Sequence, residues 1–164
     1  LSKFAAGNIL SMIPLAMVVA GPYLGYVSDR VLVSRKKVLI ASSSVYSISW
    51  IIMFFWYDSL PLTLLYVIFF FMGAMNSGVA PIAYASTKEL FSEESAGTSI
   101  GTVNLFPFLG GVVAQPFIGF VLDKAGKVAA HYPPSAYRSV IMFCAFASIL
   151  GIIATLFMKE TFKK

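Results

Sequence analysis

Charged residues fall in bunches along this chain and leave five long uncharged stretches, at residues 4–28, 38–57, 59–87, 95–122 and 139–158. Each is long enough for the roughly 20 helical residues that cross a hydrocarbon core about 30 Å thick. The longer ones leave room for tilt or an interfacial turn. None shows the alternation of a lipid-facing barrel strand, and an open sheet would leave backbone groups unpaired in hydrocarbon. The pattern predicts an all-α integral membrane protein with five transmembrane helices, its chief partner the lipid bilayer.

Composition agrees: 59% of residues are apolar, 12% are charged and mean hydropathy is +0.84. A soluble domain carries about twice that share of charge, and 164 residues could not bury so much apolar surface in water. The net charge of +5 is spread over short loops, so it reads as membrane orientation and not as nucleic-acid binding. With five spans, Arg30, Arg35, Lys36, Lys37, Lys88, Lys159, Lys163 and Lys164 share one side, against Lys3, Lys124, Lys127 and Arg138 on the other. The richer side is expected to be cytoplasmic, which puts the amino terminus outside a plasma (inner) membrane and the carboxyl terminus inside. Trp56 and Tyr57, with Tyr132 and Tyr137, then suit the outer interface. The one cysteine, Cys144, reads as a small packing residue. The one histidine, His131, lies in a loop beside Pro133 and Pro134, so no metal site or cofactor is expected. A first residue Leu1 and the absence of a signal peptide suggest a chain cut from something longer.

An internal repeat organises the spans. Residues 18–30 read VVAGPYLGYVSDR and residues 112–124 read VVAQPFIGFVLDK, with seven of thirteen positions identical at an offset of 94. Chance likeness between apolar helices exchanges Leu, Val and Ile. It seldom also aligns Pro22 with Pro116, Gly25 with Gly119 and Asp29 with Asp123. Spans one and four cross in opposite directions, so the ending P-x-x-G-x-x-x-D-R/K recurs on both faces of the membrane. That is an inverted-topology repeat, common in secondary transporters. Residues 58–164 supply a complete three-helix unit with a short basic tail. Residues 1–57 supply only the second and third helices of another unit, joined by the basic loop 29–37. A further apolar helix resembling residues 60–84 is expected upstream in the parent protein.

An Asp at a helix carboxyl end opposes the negative end of the macrodipole. It is accommodated if it reaches the amino-terminal end of a neighbouring helix, or a nearby Arg. Glycine four residues earlier removes bulk and allows close approach. Gly25, Asp29 and Arg30 on one face, and Gly119, Asp123 and Lys124 on the other, are therefore candidates for a pair of latches. The plainer alternative is a static cap with ordinary packing glycines.

These residues resemble the major facilitator superfamily, whose members carry G-x-x-x-D-R/K-x-G-R/K-R/K after the second helix of each six-helix half. Gly25, Asp29 and Arg30 match that motif. Leu32 replaces the later glycine, and the basic run Arg35-Lys36-Lys37 is displaced by two positions. Residues 89–123 also resemble the family's fourth-to-fifth or tenth-to-eleventh helix region, with Ser95 near the place of an Arg. The resemblance implies the major facilitator fold as an incomplete half: helices eight to twelve of a twelve-helix transporter, with helices two to six the alternative.

No ionisable residue lies deep in any span, so proton coupling or recognition of a charged solute would fall to the rest of the parent protein. The uncharged polar candidates for a substrate cavity are Asn76, Tyr84, Asn104 and Gln115, with Ser77 and Asn8 beside them. Interhelical hydrogen bonds, at about 0.6–2 kcal/mol each, would explain the same residues. Asn76 stands out because Gly73, Gly78 and Pro81 surround it. Span two carries Ser42, Ser43, Ser44, Ser47 and Ser49, read as packing, and Gly97-x-x-x-Gly101 is a weakly specific close-approach motif. No phosphate-binding loop and no nucleophile–base set exists, so an enzyme is not expected. The expected function is a secondary transporter, moving a small solute with or without a coupling proton or ion by alternating access, together with the remainder of its parent. The alternative is a non-transporting helical subunit or scaffold.

Overall fold

The computed structural model describes residues 2–126 and 132–162. Lys127, His131, Lys163 and Lys164, used above for charge and loop chemistry, lie outside the described residues. Helix α1 (Lys3–Tyr26) begins at Ser2, whose hydroxyl accepts the Ala5 N–H at 3.1 Å. It runs on into a widened π-helical turn, Val27–Val31, that carries Asp29. Helix α2 (Arg35–Trp56) is capped by Ser34, which accepts the Lys37 N–H at 3.1 Å. Span three is broken: α3 (Leu62–Ser77) stops at Gly78, and α4 (Val79–Leu90) carries the chain onward. Helices α5 (Glu93–Ala125) and α6 (Pro134–Phe157) complete five membrane-length spans.

The helices overrun the uncharged stretches at most ends, because a charged residue ends a hydrophobic run without ending a helix. Glu93 and Glu94 occupy the first turn of α5 and Lys124 its last, where each sign suits the macrodipole. Over 33 residues α5 is about 50 Å long and must tilt or project.

Helix α1 packs along α3, α2 packs on α6 and on α3, α4 leans on α5, and α5 touches α6. Two glycines set the α1–α3 contact. A Cβ on Gly73 would lie 2.4 Å from the Ile13 carbonyl oxygen, and one on Gly78 would lie 2.8 Å from Leu24 Cδ1. Neither position has room for a side chain: Gly73 lies against the Ile13 backbone and Gly78 against the Leu24 side chain, as small-residue membrane interfaces allow. At one end of the bundle Leu24, Val38, Leu39 and Ile82 form a buried cluster, with Val27, Val79 and Met158 against it. Elsewhere apolar side chains face outward: along α5 Ala96 is the one buried residue, while Phe106, Phe108, Val112 and Val113 are exposed. Such surface suits lipid or another helix, and water poorly.

Candidate functional site

Above the buried cluster the π-turn, the start of α2, the end of α4 and the carboxyl tail converge on Arg35. Its side chain is only 12% exposed. Nη1 pairs with Asp29 Oδ1 and donates to Ser28 Oγ at 3.0 Å, while Nη2 and Nε reach Glu89 Oε1 at 2.9 and 3.2 Å. The guanidinium plane also lies 4.9 Å from the centroid of the Phe162 ring. A guanidinium suits this place, because its fixed fork serves two carboxylates and its flat face stacks on a ring. The second carboxylate oxygen of Glu89 accepts the Thr161 hydroxyl at 2.7 Å. Glu160 accepts the Ser34 hydroxyl and the backbone N–H groups of Arg35, Thr161 and Phe162, the last three at 3.0, 3.0 and 3.1 Å. Partial burial works against the Glu160 charge, but these donors outweigh it and hold the carboxyl below its ordinary 4.5. Lys36 adds a further tie, its Nζ donating to the Leu156 carbonyl at 2.7 Å near the end of α6.

The repeat-related ending is built differently. Asp123, in the last turn of α5, accepts the Tyr132 hydroxyl at 2.5 Å, and Tyr132 stands edge-on to Tyr137 with ring centroids 6.5 Å apart. That hydrogen bond, with smaller contributions from burial and from the Asp123 charge, raises the Tyr132 phenol above its ordinary 10.0. Gly126 follows with φ +73°, a conformation that glycine adopts without strain and that turns the chain out of α5.

Of the six latch residues read from sequence, the structure therefore engages Asp29 and Asp123. Arg30 and Lys124 are exposed and make no side-chain ion pair among the described residues, and Arg35 takes the partner role next to Asp29. A Cβ on Gly25 or Gly119 would meet nothing within 4 Å, so neither supports a close helix contact among the described residues. The close contacts sit at Gly73 and Gly78. Sequence reasoning missed Arg35 as the hub, and missed Ser28, Glu89, Glu160 and Thr161 altogether. One signal was available, since Arg35 opens the basic run next to a helix-terminal Asp.

The polar candidates divide into three. The Tyr84 hydroxyl donates to Asn104 Oδ1, joining α4 to α5. Asn76, at the end of α3, instead borders a cleft of about 170 Å³ with Ser42, Ser43 and Tyr46 of α2 and Ser148 and Gly151 of α6. Two of the serines read as packing, Ser42 and Ser43, thus border this cleft. Gln115 is exposed on α5 and makes no hydrogen bond among the described residues, whereas Ser77 turns inward and donates to the Ala74 carbonyl at 2.6 Å. Among the described residues no three His, Cys, Asp or Glu side chains gather as metal ligands. The geometry offers ion pairing at one end, a tyrosine–carboxylate bond at the other and neutral hydrogen-bonding groups between.

Residues 1–164 match the family model described as Major Facilitator Superfamily. A choline/ethanolamine transporter of Danio rerio, flvcr2a, is 27% identical over 155 residues, which are 93% of this chain and 31% of that protein. The chain thus spans about a third of the length of the curated relative that it matches.

Proposed function

The chain belongs to the major facilitator superfamily, and we propose that it forms five spans of a secondary transporter that moves a small polar solute by alternating access. In this reading the repeat-related endings of α1 and α5 are the latches of two opposite gates. The observation that carries it is the Arg35 cluster. It binds four separate segments through exchangeable ion pairs and hydrogen bonds, at the end of a helix whose repeat partner ends in a second, separate contact. Such contacts can be made and broken at a cost of a few kcal/mol, as a two-state cycle requires.

The break at Gly78 would couple the gate to the solute. Helix α3 is held to α1 at Gly73 and Gly78, whereas α4 leans on α5 and carries both Tyr84 and Glu89. Pivoting α4 about Gly78 would shift the Tyr84–Asn104 pair and draw Glu89 away from Arg35 together. Tyr84, Asn104, Asn76 and Gln115 would then supply neutral hydrogen bonds to a solute, while a coupling ion, if one is used, binds elsewhere in the parent protein. The two repeat units, 1–57 and 58–164, would act with the remaining helices, with the Arg35 end cytoplasmic and the amino terminus outside the plasma (inner) membrane. The Danio rerio relative makes choline and ethanolamine the first solutes to try. The test is uptake of radiolabelled choline and ethanolamine by cells expressing the complete gene product. Uptake that is saturable and falls at least several-fold in both Asp29→Asn and Arg35→Gln, with surface expression unchanged, supports the latch. Transport unaltered by both substitutions would remove it.

A further inference from the structure

The turn joining α1 to α2 pushes three consecutive aliphatic residues outward. Val31, Leu32 and Val33 are 59%, 39% and 37% exposed, although they leave the membrane helix toward a polar end of the bundle. The tip is held firmly on both sides, by the Leu32 N–H on the Val27 carbonyl at 2.8 Å and the Ser34 N–H on the Ser28 carbonyl at 3.2 Å. Val33 adopts φ +46°, where a β-branched residue is an outlier. A turn needing only to connect two helices would relax that strain with glycine or asparagine at this position, and would not display aliphatic side chains to water.

The charges around the tip complete the pattern. Asp29, Glu89 and Glu160 are each engaged, by Arg35, Ser34 or Thr161. Arg30 and Lys37 bracket the tip, both exposed and both without a side-chain partner among the described residues. Two free cations flanking an aliphatic wedge at the end of a membrane helix are complementary to one kind of surface: acyl chains beneath a layer of negative phosphate. We propose that this turn is an anionic-phospholipid contact, with Val31, Leu32 and Val33 inserted among the acyl chains and Arg30 and Lys37 on the headgroups. The attraction falls off within a Debye length of the leaflet, so it weakens in high salt.

The test places an environment-sensitive fluorophore on Leu32→Cys in the whole chain, in a Cys144→Ala background. The chain is reconstituted into vesicles of phosphatidylcholine alone, or with about 30 mol% phosphatidylglycerol to give an anionic surface. Circular dichroism checks that each variant keeps its helices. The expected result is quenching by a lipid-attached spin label that rises roughly twofold or more with phosphatidylglycerol. The double substitution Arg30→Gln, Lys37→Gln should abolish that rise, and a matched Lys3→Gln, Lys124→Gln control should not. Equal quenching in both vesicle types would overturn the proposal. So would a tip quenched only from water, or one shielded from water and lipid alike, which would mean that protein covers it.

Discussion

The endings of α1 and α5 share seven of thirteen residues but not their surroundings. Asp29 lies in a π-turn against a largely buried arginine that also binds Glu89, Ser28 and the tail. Asp123 lies in an ordinary last helical turn and takes a phenol from the loop that follows. The repeated motif therefore supplies a carboxylate at a helix end and little else. What each carboxylate does is decided by the segment that reaches it: an ion network at one end, a neutral donor at the other. Contacts between opposite charges that are partly shielded from water are costly to half-break, whereas an exposed hydrogen bond exchanges readily with solvent. The Arg35 end should be the stiffer and the more sensitive to substitution.

The largest effect should come from Arg35→Gln, which strands Asp29 and Glu89 facing each other and unhooks Phe162. We expect a loss of about 2 kcal/mol in unfolding measured in micelles, together with protease cleavage of the tail after Met158 at a markedly higher rate. Tyr132→Phe, the matching change at the Asp123 end, should be close to neutral. Equal losses at the two ends would break the comparison.

Glycine substitution sharpens it further. Gly73→Ala should cost about 1–2 kcal/mol, because the neighbour in the way is the Ile13 backbone and not a movable side-chain tip. Gly25→Ala and Gly119→Ala add a methyl to open space within a helix and should each be neutral or slightly stabilising, within about 0.5 kcal/mol. Thermal unfolding of the three variants side by side decides this. A loss at Gly25 or Gly119 as large as that at Gly73 would restore the latch glycines as packing points.

Part of this is legible in the sequence. The five spans follow from runs without charge, since hydrocarbon penalises charge wherever it falls. The likeness between the endings of α1 and α5 lies in the sequence itself, with Pro, Gly and Asp holding the same offset. An arginine partner for Asp29 was foreseeable in kind, because a carboxylate at a helix carboxyl end needs a cation or a donor. That it would be Arg35 and not Arg30 depends on the π-turn, which rotates the end of α1 by an amount no local pattern records. The tail contacts could not be read either, since Glu160 meets Ser34 across 126 positions of chain. Gly73, Gly78 and Pro81 near Asn76 announced a loose helix, yet only packing against Ile13 and Leu24 shows that the two glycines are pinned.

Acid should act on the Arg35 end alone in one respect. Glu160 has its carboxyl held below 4.5 in the folded chain, so its contribution is fully present above that value and is lost as pH falls through the lower, folded-state value. A fluorophore on the tail at Lys159→Cys, in a Cys144→Ala background, should therefore stay immobile down to about pH 4.5 and gain mobility only below it. Glu160→Gln should free the tail at neutral pH. Unchanged tail mobility in that variant would mean that Thr161 and Phe162 suffice to dock it.

Alkali should act on the opposite end, and more gently. The Tyr132 phenol is raised above 10.0 chiefly by donating to Asp123, so the bond favours the protonated form. Its contribution is fully present below the unfolded-state value and disappears as pH rises through the higher, folded one. Tyr132 is only partly buried, and water competes for both partners, so the change is expected to be local and not a general unfolding. Ultraviolet difference titration should show the Tyr132 phenol ionising above 10.0, and Asp123→Asn should bring it back toward that value. If Asp123→Asn leaves the titration unmoved, the contact at the α5 ending does not hold in solution. The two ends would then differ not in strength but in whether a latch exists at all.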